Sequence, residues 1–184
     1  MVKNLLISFL LLTIFFFASS SAHAQEKASQ PSATFADILH NKELDNRAKV
    51  LSAYLSEHNS PLAPYAGAFV RDADEFDIDW RLVAAISGVE STFGQAQPAD
   101  CNNSWGYGIY GSNRLCFTSY YEAIRTISQA LRQRYMDQWG AQDVYSIGHL
   151  YAASPTWADR VTFFMEDIDE FRLRNTNTPL SISL

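Results

Sequence analysis

Residues 79–111 read DWRLVAAISGVESTFGQAQPADCNNSWGYGIYG, an apolar helical pattern followed by a glycine-rich loop. The spacing of the apolar residues predicts a helix that buries one stripe of side chains. That stripe consists of Leu82, Ile86, Val89 and Phe93. Glu90 falls at the edge of the stripe, and Gly94 is a typical residue to end a helix. The pattern therefore predicts a carboxyl group at the border between the protein core and solvent.

The predicted position of Glu90 favours a protonated carboxyl group. Burial disfavours its charged form, and so does the negative end of the helix dipole. Both effects raise the pKa, as general-acid catalysis near neutral pH requires. The alternative is an ordinary, half-exposed polar residue near the end of an amphipathic helix.

The loop at residues 102–111 contains three glycines and three aromatic residues. Glycines allow close approach of the backbone, and aromatic rings offer flat faces on which a sugar can stack. The candidate platforms are Trp105, Tyr107 and Tyr110, although aromatic residues in a small lobe also form its core. A carboxylic acid beside such a loop indicates carbohydrate chemistry.

Four short motifs, taken in order, resemble the lysozyme-like superfamily. They are Glu90-Ser91-x-x-Gly94, Asn102-Asn103-x-x-Gly106, the segment 117–124 and the segment 151–161. The chain looks closest to bacterial endo-β-N-acetylglucosaminidases of the autolysin and flagellar type, and to soluble lytic transglycosylases. The similarity extends roughly from Ser60 to Phe171.

The resemblance implies a mainly α fold of the α+β lysozyme-like type, with a small hairpin or loop lobe that forms a cleft against one helical domain. It implies an enzyme that cleaves the β-1,4 glycan strands of peptidoglycan without a cofactor, with Glu90 as general acid and base. Ser91 would bind the substrate's N-acetyl group or orient Glu90; the alternative is a hydroxyl that binds backbone. The implied substrate-binding residues are Ser91, Asn103, Trp105, Gly106, Tyr107, Gly108, Ile109 and Tyr151.

The sequence leaves open which group, if any, acts together with Glu90 in catalysis. Residues 101–121 contain no carboxylate, which favours a mechanism with a single glutamate, as in lytic transglycosylases. Ala152 favours a glucosaminidase, because transglycosylases commonly have asparagine after the tyrosine that Tyr151 resembles. In that case Asp100, or an acid outside the loop, is the partner of Glu90.

The sequence excludes one other class of protein and leaves another open. A serine hydrolase using Ser91 is excluded because a nucleophile elbow needs glycines where Val89 and Phe93 stand. A non-catalytic glycan-binding or cell-wall assembly module on the same fold remains the alternative.

Residues 1–24 are typical of a secretory signal. Lys3 precedes an apolar stretch, and Ala22-His23-Ala24 is a cleavage site. The apolar stretch is too short for an integral membrane anchor, so we expect a periplasmic or secreted protein. The rest of the chain is divided into a linker at 25–42, a catalytic domain at 43–174 and a tail at 175–184.

The two cysteines, Cys101 and Cys116, enclose most of the glycine-rich loop. Export into an oxidising compartment favours a disulfide between them, which in the chain-entropy model is worth about 3 kcal/mol. Two buried free thiols are the alternative.

The net charge of −6 argues against nucleic acid or an anionic membrane as a partner. No metal site is predicted. The acidic run at 72–79 fails as a calcium loop because Asp77 and Val83 stand where glycine and glutamate are needed. It is interpreted as a solvated turn, with Asp77 or Asp79 capping the next helix. The chain is expected to act as a monomer on peptidoglycan strands.

Hydrophobic spacing predicts further helices, and β-forming residues between glycines predict short strands only around 107–117. The other predicted helices cover 43–57, 62–75, 120–135, 144–151 and 155–171.

Overall fold

The computed structural model describes residues 35–108 and 114–176, and most of these are helical. The described residues belong to one compact unit. Its elements are α1 (Phe35–Glu57), a 3₁₀ turn (Ala63–Tyr65), α2 (Ala66–Glu75), α3 (Leu82–Ser91), α4 (Tyr120–Ala130) with a π-helical continuation (Leu131–Gln138), α5 (Val144–Tyr151) and α6 (Trp157–Thr176). The mainly α class is confirmed.

The strands expected around 107–117 are not found in the part of that range that the structure describes, residues 107–108 and 114–117. These residues form turns and irregular backbone. Asparagine side chains and the disulfide hold the backbone here, as described below, so the described residues of the loop need no strand pairing.

Helix α3 is the central element of the fold. Residues 82–88 are all buried, because α6 and α4 pack against the helix and Trp105 covers it from the loop. Leu82 and Ile86 are buried as the predicted stripe requires, whereas Val89 is only partly buried. A helix enclosed by several neighbours buries more than one stripe, which is why Val83 is buried as well.

The end of α3 differs from the prediction. The helix stops at Ser91, and the next three residues all have positive φ angles: 52° at Thr92, 55° at Phe93 and 88° at Gly94. Phe93 therefore enters the core from a turn, where it packs edge-on against Phe164. Positive φ at a β-branched and an aromatic residue costs free energy, and such strain clusters at functional sites.

The acidic run at 72–79 is only partly the solvated turn that was expected. Asp72 lies within α2 and is completely buried, with its Oδ1 accepting a hydrogen bond from Arg71. Desolvation raises the pKa of this carboxyl. The predicted cap is not found: Arg81 is the N-cap residue of α3 and has no side-chain capping hydrogen bond. Asp79 lies in the turn before the helix, where its Oδ1 accepts a hydrogen bond of 2.9 Å from the Arg81 backbone N–H.

The first and last described helices extend past the predicted limits of the catalytic domain. Residues 35–42 of the predicted linker are helical, as part of α1, and α6 continues to Thr176 inside the predicted tail. The predicted signal segment, 1–24, lies outside the described residues. Within the described ranges, no helix is long and apolar enough to cross a membrane.

Candidate functional site

Glu90 is the last residue but one of α3, and its carboxyl group is held from two sides. The indole Nε1 of Trp157, at the start of α6, donates a hydrogen bond of 2.7 Å to Glu90 Oε1. The backbone of Gly106 lies against the other oxygen: a Cβ atom at Gly106 would be 3.1 Å from Glu90 Oε2. Three separate parts of the chain therefore meet at one carboxyl group.

The pKa of Glu90 is raised above its ordinary value. Desolvation is the main cause, while the Trp157 hydrogen bond and the positive charge of Arg160 act in the opposite direction. The residue as a whole is exposed, so the carboxyl group is partly desolvated by its neighbours and remains accessible from solvent. The direction of the shift agrees with the expectation from the sequence.

The Cys101 and Cys116 sulfurs lie at disulfide distance, which confirms the predicted pairing. Asn103 fixes the backbone between them. Its Nδ2 donates hydrogen bonds of 2.8 Å to the carbonyl oxygens of Tyr107 and Leu115. Its Oδ1 accepts hydrogen bonds from the backbone N–H groups of Trp105 and Tyr107. Asn103 is 5% exposed, so the structure assigns it the task of shaping the loop around Gly106.

Ser91 has a similar structural task. Its hydroxyl lies 2.7 Å from the Ser104 carbonyl oxygen and accepts a hydrogen bond of 2.9 Å from the Gly94 N–H. The side chain is 5% exposed. Ser91 thus joins the end of α3 to the loop, which is the backbone-binding role that the sequence left open.

Trp105 was a candidate sugar platform, and the structure corrects this. The side chain is 0% exposed, and its Nε1 donates a hydrogen bond of 2.8 Å to the Val83 carbonyl oxygen. Its ring packs near Phe69 in the core. A fully buried ring has no face on which a sugar could stack.

Tyr151 lies close enough to Glu90 for the charge of that carboxyl group to act on its hydroxyl. Its hydroxyl donates a hydrogen bond of 2.7 Å to the Trp105 carbonyl oxygen, and its ring stacks on Trp157 with centroids 5.0 Å apart. Desolvation, and after it the charge of Glu90, raise the pKa of Tyr151. Tyr151 and Trp157 together form an aromatic wall at the carboxyl group.

The rest of the predicted set lies along the loop. Tyr107 is half-buried, and its hydroxyl accepts a hydrogen bond of 3.1 Å from Arg134. Gly108 has a positive φ and packs against Leu115. Ile109, Tyr110 and Gly111 lie outside the described residues, so their predicted roles stay predictions.

The sequence did not identify Trp157 and Arg160 as neighbours of Glu90. The Trp157 side chain is 2% exposed, yet its polar atom faces the carboxyl group. The sequence held one indication of this position: Trp157 lies in the segment 151–161, which also contains the predicted site residue Tyr151. Arg160 follows one turn later on α6 and donates a hydrogen bond to the Val89 carbonyl oxygen.

No carboxylate among the described residues contributes to the pKa of Glu90; the contributing charge is that of Arg160. Asp100, the predicted alternative partner, is exposed and lies 3.6 Å from Arg114. The described residues also hold no group of three or more His, Cys, Asp or Glu side chains that could bind a metal ion. The arrangement provides one carboxyl group with a raised pKa, one N–H donor and an aromatic wall.

Trp157→Phe should raise the pKa of Glu90 further. The Trp157 N–H stabilises the charged carboxylate, so its removal favours the protonated form, while the phenyl ring keeps a face for Tyr151. Titration of the ¹³C-labelled Glu90 carboxyl by NMR measures the shift. Trp139→Phe, which changes an exposed indole elsewhere, should leave this pKa in place. An unchanged or lowered pKa in Trp157→Phe contradicts the assigned hydrogen bond.

Comparison with known proteins assigns the chain to no family. No protein-family model matches it, and a search of curated proteins finds no match.

Proposed function

We propose that the protein is an exported glycosidase that cleaves the β-1,4 glycan strands of peptidoglycan, with Glu90 as general acid and then general base. The observation that carries the proposal is the Glu90 carboxyl group, which has a raised pKa, accepts a hydrogen bond from Trp157 and faces a glycine of the loop. The motif resemblance to lysozyme-like peptidoglycan hydrolases supports the same chemistry and the lysozyme-like form of the fold.

The two oxygens of Glu90 have different tasks in this proposal. Oε1 accepts the hydrogen bond from Trp157, so the proton is carried by Oε2, the oxygen that faces Gly106. Oε2 gives this proton to the glycosidic oxygen as the bond to the anomeric carbon breaks. Trp157 then stabilises the carboxylate that is left, through a charge-assisted hydrogen bond.

The described residues offer no carboxylate partner near Glu90, and this favours a reaction with a single glutamate. In the second step the Glu90 carboxylate takes the proton of the muramyl 6-hydroxyl, whose oxygen attacks the anomeric carbon and closes a 1,6-anhydro ring. A nucleophile tethered to the reacting sugar has a high effective concentration, so it competes well with water. A glucosaminidase would instead use water and a second acid.

Export is part of the proposal. The signal-like sequence at residues 1–24 supports it, and so does the cysteine pair at disulfide distance, since disulfides persist in oxidising compartments. The periplasm or the exterior of the cell is also where peptidoglycan is found.

The products of peptidoglycan digestion test the proposal. We expect muramyl ends that resist borohydride and that are lighter than hydrolysed ends by the mass of one water. Mass spectrometry of the digested wall, before and after borohydride, gives this result directly. Reducible N-acetylglucosamine ends would identify a glucosaminidase. Binding of the wall without any cleavage would contradict the enzyme and leave the glycan-binding module.

A further inference from the structure

A polar cavity of about 320 Å³ opens beside Tyr107, on the surface of α4 and its π-helical continuation. The side chains that give it its chemistry are Tyr107, Thr126, Gln129, Gln133, Arg134 and Gln138. Amide groups predominate, and Gln129 Nε2 donates a hydrogen bond to Gln133 Oε1. Such a lining offers donors and acceptors for peptide groups.

Arg134 is the one cation in the lining of this cavity. Its guanidinium donates to the Tyr107 hydroxyl and lies 5.9 Å from the centre of the Trp139 ring. No carboxylate of the described residues lies within ion-pair distance of it. Arg132, on the same segment, pairs with Asp77 and Asp137. The charge of Arg134 is therefore available to a ligand, in a protein whose net charge is −6.

The π-helical backbone gives this surface an unusual shape. Residues 131–138 form a wider helix than α4 itself, and Arg134 and Gln138 both project into the cavity from it. Segments of π-helix cost stability and occur frequently at functional sites. The backbone geometry is thus a second observation that points to the same surface.

The cavity shares Tyr107 with the loop whose Gly106 lies against Glu90. Tyr107, in the cavity wall, directly follows Gly106, whose Cβ position would be 3.1 Å from Glu90 Oε2. Consecutive Cα atoms are about 3.8 Å apart, so Tyr107 links one wall of the cavity to the backbone that lies against Glu90.

We propose that this cavity binds a carboxylate- and amide-bearing side group of the substrate, namely the peptide that is attached to muramic acid in peptidoglycan. The inference rests on the proposed function. Arg134 binds a carboxylate of the peptide through its planar guanidinium, and the glutamine side chains pair with its amide groups. The cavity thereby directs peptide-bearing strands towards Glu90.

Binding of a muramyl peptide to the ¹⁵N-labelled protein tests this directly, without any cleavage. The probe is N-acetylmuramyl-L-alanyl-D-isoglutamine, and the control sugar, which carries no peptide and no carboxylate, is N,N′-diacetylchitobiose. We expect saturable shifts of the Arg134 Nε–H and of the side-chain amides of Gln129 and Gln133 with the first probe alone. Sodium acetate and inorganic phosphate serve as simple anions and should bind at least tenfold more weakly.

Three variants test whether Arg134 is the group that binds the carboxylate of the muramyl peptide. Arg134→Gln should weaken binding of the muramyl peptide by about tenfold or more, as expected for a hydrogen bond to a charged group. Arg134→Lys should restore part of it. Arg132→Gln removes the same charge from the same helical segment, outside the cavity, and should leave the affinity unchanged.

Three results would overturn the inference: no saturable shift at the cavity, equal binding of diacetylchitobiose or a simple anion, or equal losses in Arg132→Gln and Arg134→Gln. The proposed function fails by a different result. If the muramyl peptide binds at Arg134 but the protein does not cleave peptidoglycan, the proposed peptide site is retained and the proposed glycosidase activity is rejected. If cleavage depends on Glu90 and the probe does not bind, only the peptide site is wrong.

Discussion

Glu90→Gln should abolish degradation of purified peptidoglycan, with a loss of rate of about 10²–10⁴-fold, the range for removal of a general acid. The amide is isosteric with the carboxyl group, and its oxygen can still accept the hydrogen bond from Trp157. It has no proton to give to the glycosidic oxygen. The free energy of unfolding should change by less than about 1 kcal/mol, because Glu90 is exposed at the end of α3.

The rate is measured by the loss of turbidity of a wall suspension, and the free energy of unfolding by urea titration. Glu57→Gln is the matched control, since Glu57 is also an exposed glutamate at the C-terminal end of a helix, α1. It should keep full activity. A folded Glu90→Gln protein that degrades peptidoglycan at more than a tenth of the normal rate would remove Glu90 from the mechanism.

Gly106→Ala should lower the rate about 100-fold, the effect expected for a misplacement of the catalytic group by about 1 Å. The new Cβ would lie 3.1 Å from Glu90 Oε2, the oxygen that carries the proton in the proposed reaction. Gly106 also has a φ of +61°, which an alanine adopts only at a cost of about 1–2 kcal/mol. The variant should therefore lose both activity and some stability.

The two effects can be separated with Gly140→Ala. Gly140 has a φ of +76°, but a Cβ there would meet nothing within 4 Å. This variant should be destabilised to a similar extent, as measured by urea unfolding, with its rate of wall degradation unchanged. Equal losses of rate in Gly140→Ala and Gly106→Ala would mean that backbone strain, and not the contact with Glu90, lowers the activity.

The local features of the site could be predicted from the sequence. The apolar spacing before Glu90 fixes it at the border of a buried helix, and the structure finds it there with a raised pKa. The pairing of Cys101 with Cys116 was predictable because the two residues are near in sequence and residues 1–24 are typical of a secretory signal. The first inference depends on neighbours within a few turns of chain, and the second on the spacing of the two cysteines and on the N-terminal sequence.

The contacts between distant parts of the chain could not be predicted. Trp157 and Glu90 are 67 residues apart, and no periodicity indicates that an indole N–H will face a particular carboxyl group. The same limit applies to Trp105. Its position in a glycine-rich loop indicated an exposed sugar platform. The loop packs on α3, however, so the Trp105 ring lies in the core.

The early end of α3 has a comparable cause. Nothing in the local sequence opposes a helix through Thr92 and Phe93, because the usual stop signal, Gly94, comes later. In the turn, the Phe93 ring packs against the rings of Tyr54, His58 and Phe164. These contacts stabilise the conformation in which the helix has already ended. Burial of that ring offsets the cost of two left-handed residues. Tertiary packing thus decides where the helix ends.

The position of Trp157 on α6 has a consequence for the order in which the site is completed. The ribosome makes Glu90 long before Trp157 and Arg160, and both of these neighbours belong to the last helix that the structure describes. A nascent chain that lacks this helix has neither the Trp157 N–H nor the Arg160 charge, the two groups that stabilise the Glu90 carboxylate. The site that the proposed reaction needs is therefore complete only after the last described helix has packed against α3.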